Sequence, residues 1–149
     1  MQKYFKELEV KEWSGNTIIV DVDGTLLADG NSELDPLAVK KMHEMNLANS
    51  VFLFSNRWAS GRDAELEKEL QVPFLKSPFK KPNKKVIDGL PDRLKNNMVV
   101  IGDKILTDGL FAKNIKADFV KVKRLTSDKD SALVRLSYVI DNFAGRFIS

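Results

Sequence analysis

The sequence predicts an α/β fold, a three-layer Rossmann-like sandwich around a central parallel sheet, on three observations. Short β-branched or aromatic runs recur, as in Thr17-Ile18-Ile19-Val20, Val51-Phe52-Leu53-Phe54 and Met98-Val99-Val100-Ile101. Segments with helical apolar spacing alternate with them through short connections, the pattern of a parallel sheet with helices on both faces. Two of the runs end in acids, at Asp21-Val22-Asp23-Gly24 and at Gly102-Asp103. A buried strand has no reason to finish on carboxylates unless its end opens into a site, and the carboxyl ends of parallel strands are where such sheets bind ligands.

Each element has its own reason. Thr17 to Val20 is a β-branched first strand. Asp35-Pro36 reads as an N-cap followed by proline at the first helical position, opening a helix to about Leu47 with Leu37, Met42, Met45 and Leu47 as apolar positions. Val51 to Phe54 is a second buried strand, and Asp63 to Leu70 a charged helix with Ala64, Leu66 and Leu70 as its apolar edge. Pro73 to Leu75 reads as a short strand, and Pro82 to about Leu94 as a helix weakened by Gly89 and Pro91. Met98 to Ile101 is a further strand, Ile105 to Lys113 a short helix and Asp118 to Val122 a last strand. A C-terminal helix is expected over Ser131 to Phe147. Leu133, Leu136, Ile140, Phe143 and Phe147 at helical spacing read as a face packed on the sheet, with an interfacial membrane helix as the alternative.

At 149 residues, 43% of them hydrophobic, the chain is expected to form one domain over residues 1–149 with a substantial core. The absence of cysteine excludes a disulfide framework and a thiolate metal site. Met1 to Glu7 lacks the apolar core of a signal peptide, and no apolar run approaches the roughly 20 residues that span a bilayer. The expectation is a soluble, cytoplasmic protein, with room for peripheral membrane contact. A net charge of +3 favours the approach of phosphates or anionic surfaces without naming a partner. Lysines cluster at Lys80, Lys81, Lys84 and Lys85, and basic residues again at Lys121, Lys123 and Arg124. The ordinary reading of such clusters is solvated surface.

The strand ends bring chemistry-bearing residues to one edge of the sheet: Asp21 and Asp23, Ser55 and Asn56, and Asp103, with Asp108 five residues further on and Lys81 immediately before Pro82. Each type has a job in phosphoryl transfer. Hard carboxylate oxygens bind Mg²⁺, and Asp21 and Asp103 are the expected ligands. A carboxylate can attack phosphorus, and a second can protonate the leaving alkoxide and then activate water. A hydroxyl and a lysine can hold the phosphoryl oxygens as charge shifts. Gly24 allows the sharp turn after the strand.

Asp21-Val22-Asp23-Gly24-Thr25-Leu26, Ser55, Lys81 and Gly102-Asp103 with Asp108 resemble, in order, the four motifs of the haloacid dehalogenase-like superfamily of phosphohydrolases. The resemblance implies a phosphatase with Asp21 as nucleophile and Asp23 as general acid/base. It implies Mg²⁺ held by the Asp21 and Asp103 carboxylates and the Asp23 backbone carbonyl, and Asp108 orienting a metal-bound water. It also implies a phosphoryl group bound by Ser55 and Lys81, and Asn56, next to Ser55, is expected to bind the phosphate with them. Ser55-Asn56, Lys81-Pro82 and the run from Gly102 to Asp108 are similar to the phosphatidylglycerophosphate phosphatase-like branch. That branch usually has asparagine where Gly24 and Arg57 stand, and Gly109 to Asn114 follows its pattern loosely.

Larger members of the superfamily carry a lid domain after the first or second motif. Here Leu26 to Pro36 and Asn56 to Lys80 are too short for one, so no cap domain is expected. An open site suits a substrate whose bulk stays outside, such as a lipid head group, a nucleic-acid end or a phosphoprotein. A neighbouring subunit acting as lid in an oligomer, or a nucleotide or other small-molecule phosphate, are the alternatives. A receiver-like signalling module without turnover is the competing class. It would carry its phospho-acceptor after a middle strand, where this chain has Ser55-Asn56. The sole histidine, His43, sits among Lys40, Lys41 and Glu44 and reads as surface. Trp58 reads as packing or a shaper of substrate access, and Arg57 and Arg62 as candidates for a second anionic group.

Overall fold

The computed structural model describes residues 2–28, 33–126, 136 and 139–141. Four strands, β1 (Thr17–Asp21), β2 (Ser50–Phe54), β3 (Met98–Gly102) and β4 (Asp118–Lys121), form an all-parallel sheet in the order β2-β1-β3-β4. Three α-helices are described: α1 (Pro36–Ala48), α2 (Ser60–Leu70) and α3 (Leu110–Asn114). The predicted α/β, Rossmann-like class is the one observed.

Strand periodicity builds the layers. Ile18, Val20, Val51, Leu53, Val99 and Ile101 point to one face, where Met42 and Met45 of α1 and Leu66 and Leu70 of α2 cover them. Ile19, Met98 and Val100 point to the other, against Val86, Ile87, Leu90 and Phe111. Every residue of β1 and β3 is therefore buried, as expected for central strands of a covered parallel sheet. Truncating a fully buried strand side chain, as in Leu53→Ala on β2, would cost about 2–5 kcal/mol.

Register aligns the strand ends. Asp21 pairs with Phe54, the residue before Ser55, and Val20 pairs with Ile101, two residues before Asp103. Three loops thus leave the same edge side by side.

Several elements differ from expectation. In α1, the Asp35 carboxylate caps the Leu37 amide as the Asp-Pro pair predicts. The buried stripe, however, is Ala38, Met42 and Met45, while Leu37 and Leu47 are 58% and 88% exposed. Leu37 and Leu47 lie about one and two hundred degrees of helical rotation from that stripe. Helix α2 starts at Ser60, three residues early, and Ala64 is on its exposed side. Pro73 to Leu75 makes a single parallel bridge from Phe74 to Leu53 rather than a strand. The helix expected over Pro82 to Leu94 is two short 3₁₀ turns, Lys84–Ile87 and Asp92–Leu94, separated by Gly89 and Pro91. Pro91 cannot donate to a continuing helical ladder. The segment from Ile105 begins as one π turn (Ile105–Gly109) that runs into α3.

Of the expected C-terminal helix only Leu136 and Val139–Asp141 are described, and they are helical; the remainder lies outside the described residues. Leu136 and Ile140, expected to pack inward, are 54% and 53% exposed, whereas Asp141 is buried. No helix among the described residues is long and apolar enough to cross a membrane.

Candidate active site

The loop after β1 folds back at Gly24, whose φ of +85° lies in the left-handed region. Glycine adopts it freely and asparagine more readily than other side chains, which accounts for either residue at this position. The fold-back delivers Thr25 between two strand ends. Its buried hydroxyl lies 3.1 Å from Asp21 Oδ2 and 3.0 Å from Asp103 Oδ1, tying the ends of β1 and β3 together.

Asp21, Asp103 and Asp108 are all buried, and each places an oxygen within 4.8 Å of the others. Gly102 is what lets Asp108 in: a Cβ there would overlap the Asp108 carboxylate. Asp108 is held by the turn that carries it, its Oδ2 accepting from the Lys104 amide at 3.3 Å.

Lys81 supplies the cation. Its Nζ donates to Asp21 Oδ1 at 2.8 Å, to Asp108 Oδ1 at 2.6 Å and to the Phe54 carbonyl at 3.4 Å. Lys80, its neighbour in the lysine cluster, is exposed and lies over the Trp58 ring. Burial would lower the Lys81 pKa, but the charges of Asp108 and then Asp21 outweigh it and hold the ammonium above the ordinary lysine range. Burial, then the Asp21 charge, push Asp108 up to about 6 against the opposing pull of Lys81.

When all are ionised, three buried carboxylates face one ammonium, and the surplus negative charge is costly in a low-dielectric site. Oxygen-only donors with a net negative balance are what a hard divalent cation such as Mg²⁺ requires. The residues present fit such an ion.

Asp23 stands apart, half-buried at the mouth. Its Oδ2 accepts from Ser55 Oγ at 2.9 Å and its Oδ1 from Arg62 Nη1 at 2.7 Å. Ser55 Oγ in turn accepts from the Arg57 amide at 3.0 Å. Arg62 is aimed by Asp63 Oδ1, 3.2 Å from both Nε and Nη2, and by the Arg57 carbonyl. Asn56, expected beside the phosphate, instead spends its amide on the Lys81 backbone. The Lys81 N–H donates to Asn56 Oδ1 at 2.8 Å, and Asn56 Nδ2 donates to the Lys81 carbonyl at 2.9 Å.

The structure therefore brings Asp21, Ser55, Lys81, Asp103 and Asp108 to one edge, with Asp23 at its mouth and Asn56 supporting Lys81 from behind. Sequence reasoning left out Thr25 and underweighted Arg62. Thr25 carried a signal, being the first hydroxyl after the glycine turn. Arg62 carried none, since the sequence leaves it just before the helix expected from Asp63 and only the start at Ser60 puts it in the first turn.

These residues lie inside a region with a family-wide likeness. A sequence profile described as mitochondrial PGP phosphatase matches residues 4–127, which include Asp21, Asp23, Ser55, Lys81, Asp103 and Asp108. No individual curated protein matches the chain. With a match over most of its length and a buried acidic cluster clamped by one lysine, the chain belongs to the PGP phosphatase family.

Proposed function

We propose that this chain is a Mg²⁺-dependent phosphomonoesterase that works through an aspartyl-phosphate at Asp21, with phosphatidylglycerophosphate as its substrate. The observation that carries the mechanism is the sharing of one ammonium by Asp21 and Asp108, beside the Asp103 carboxylate and at the common end of three strands.

Asp21 attacks phosphorus, and the bond from phosphorus to the leaving oxygen breaks. Asp23, at the mouth, gives its proton to that oxygen. It then takes a proton from water, whose oxygen attacks the same phosphorus and frees Asp21 and inorganic phosphate. Lys81 already donates to Asp21 Oδ1 and is placed to donate to the phosphoryl oxygens as charge moves onto them. Ser55 holds Asp23 and presents its hydroxyl to the same space. Asn56 fixes the Lys81 backbone and thereby the reach of the ammonium. Asp21, Asp103 and the Asp23 carbonyl would hold Mg²⁺, with Asp108 behind them. The bound ion would offset charge between the anionic phosphate and the anionic nucleophile.

The substrate reading rests on the family and on an open site. Between β2 and Lys81 the chain spends its residues on α2 and the Phe74 bridge, and among the described residues no inserted domain covers Asp23. A lipid head group can present its monoester while the acyl chains stay in a membrane, and we place the protein in peripheral contact with that surface.

The test is hydrolysis of phosphatidylglycerophosphate in mixed micelles, beside a soluble aryl phosphate, a nucleotide, a sugar phosphate and a phosphorylated oligonucleotide end, with and without Mg²⁺. Preference for the lipid with Mg²⁺ dependence is expected. Preference for a soluble sugar phosphate would remove the open-site argument, and undiminished turnover by Asp21→Asn would remove the nucleophile.

A further inference from the structure

Asp141 is the one described residue of the C-terminal segment that is buried, at 1% exposure, and it is an acid. The aliphatic side chains on the same turn, Leu136, Val139 and Ile140, are each more than half exposed. Burial there serves a polar contact. Asp141 Oδ2 accepts from the Ile105 amide at 2.8 Å, and Oδ1 accepts from the Leu106 amide at 2.6 Å.

Those amides open the π turn Ile105–Gly109, where the first N–H groups have no partner inside the helix. The turn lies between Asp103 and Asp108 and sets their spacing. At its far end the Asp108 and Gly109 amides both bond the Lys104 carbonyl. The loop is thus closed on itself at one side and tied to Asp141 at the other. Only a carboxylate offers each of two successive amides its own charged oxygen. An asparagine accepts on one atom and turns a donor toward the second amide, and an alanine leaves both part-buried donors without a side-chain acceptor.

We propose that Asp141 is a positioning residue for the acidic cluster: by holding the Ile105 and Leu106 amides it sets the separation of Asp103 and Asp108, and so the affinity of the cluster for a divalent cation. It follows that a residue outside the matched family region, which ends at residue 127, is part of the working site. This role rests on the reading of the cluster as a metal-assisted phosphatase centre.

The experiment compares the full-length protein with Asp141→Asn and Asp141→Ala, and with Ile140→Ser as an exposed control on the same turn. Direct calorimetric titration with Mg²⁺ and with Mn²⁺ is done without substrate. Then kcat, KM and half-saturating Mg²⁺ are measured on a soluble aryl phosphate. Loss of an outer partner of a metal site typically costs roughly 10–100-fold in metal affinity or activity. Weakening within that range is expected for Asp141→Asn and a greater loss for Asp141→Ala, with kcat lowered, KM within about twofold and Ile140→Ser unchanged. A folded Asp141→Asn protein whose Mg²⁺ dissociation constant stays within about twofold of the parent would overturn the role. So would a parent protein that binds no divalent cation. If both Asp141 variants fail to fold, amide exchange on the parent decides. Protection of Ile105 and Leu106 that increases with Mg²⁺ supports the role, and exchange at unprotected rates refutes it. A parent that binds Mg²⁺ but hydrolyses no phosphomonoester sinks the phosphatase reading alone, because the calorimetric comparison still reports on Asp141.

Discussion

Replacing Lys81 with methionine would keep most of the side-chain volume and remove the single ammonium from between Asp21 and Asp108. The Lys81 side chain is 3% exposed and makes both ion pairs, at 2.8 and 2.6 Å. Removing one partner of a buried pair typically costs about 3–5 kcal/mol, because the remaining charge is stranded. Protonation limits the loss. If Asp108 becomes neutral in the folded state at pH 7, raising it there from the value of about 6 it already has adds ~1.4 kcal/mol. Asp21 also loses its partner, so the cost lies between that figure and the roughly 3 kcal/mol of a broken buried pair; at roughly 2–4 °C per kcal/mol a fall of roughly 3–12 °C is expected without metal. The pH dependence has a definite sign. Asp108 already sits at about 6 in the folded protein, above its unfolded value, so the folded state holds the proton more tightly. Losing Lys81 extends that difference upward, and stability then declines as pH rises from about 4 to the new value. The Tm gap to the parent should therefore be widest near pH 8 and narrow toward pH 5, and saturating Mg²⁺ should reduce it at pH 8. Thermal melts in a chelator and in Mg²⁺ at the two pH values provide the measurement. A Lys81→Met protein melting within 2 °C of the parent at pH 8 without metal would show that the ammonium does not hold the two carboxylates.

Gly102→Ala should disable the site, since its Cβ would occupy the space of the Asp108 carboxylate; Mg²⁺ titration should show loss of binding, and parent-like affinity would contradict the packing. Asn56→Ala removes both side-chain bonds to the Lys81 backbone and should cost about 1–3 kcal/mol of stability together with a reduced kcat; an unchanged melt and rate would leave Asn56 without the supporting role. Mg²⁺ favours ionised Asp108, so its binding should release protons below about pH 6, where Asp108 is protonated, and none near pH 8. Calorimetry in two buffers of different ionisation enthalpy reads this, and buffer-independent heats at pH 5.5 would rule it out.

The sheet and the reactive edge were legible because their signals are local. A β-branched run closing on Asp21-Val22-Asp23 announces both a strand and its exit into a site, and Asp35-Pro36 announces a helix start. The stretch from Pro82 to Leu94 was not legible as 3₁₀ turns. Its apolar spacing is helical, and only Gly89 and Pro91 argue for interruption. The roles of Asn56, Arg62 and Asp141 depend on partners 25 to 39 residues away, which no spacing rule connects. Asp141 did leave a trace, an acid set directly after Val139-Ile140 in an otherwise apolar helical pattern. The sequence pattern suggested that the aliphatic positions face the sheet. The structure buries the carboxylate instead, because two unpartnered amides at the start of a helical turn make a stronger demand than one more aliphatic contact.

The proposed mechanism turns on Asp21 carrying the phosphoryl group. Rapid-quench of the protein during Mg²⁺-supported turnover of an aryl phosphate, followed by borohydride reduction and peptide mass spectrometry, tests it directly. Reduction of the acyl phosphate is expected at Asp21 alone, with none in Asp21→Asn. A mark at Asp23, Asp103 or Asp108, or an unmarked Asp21 in an enzyme that is turning over, would contradict it.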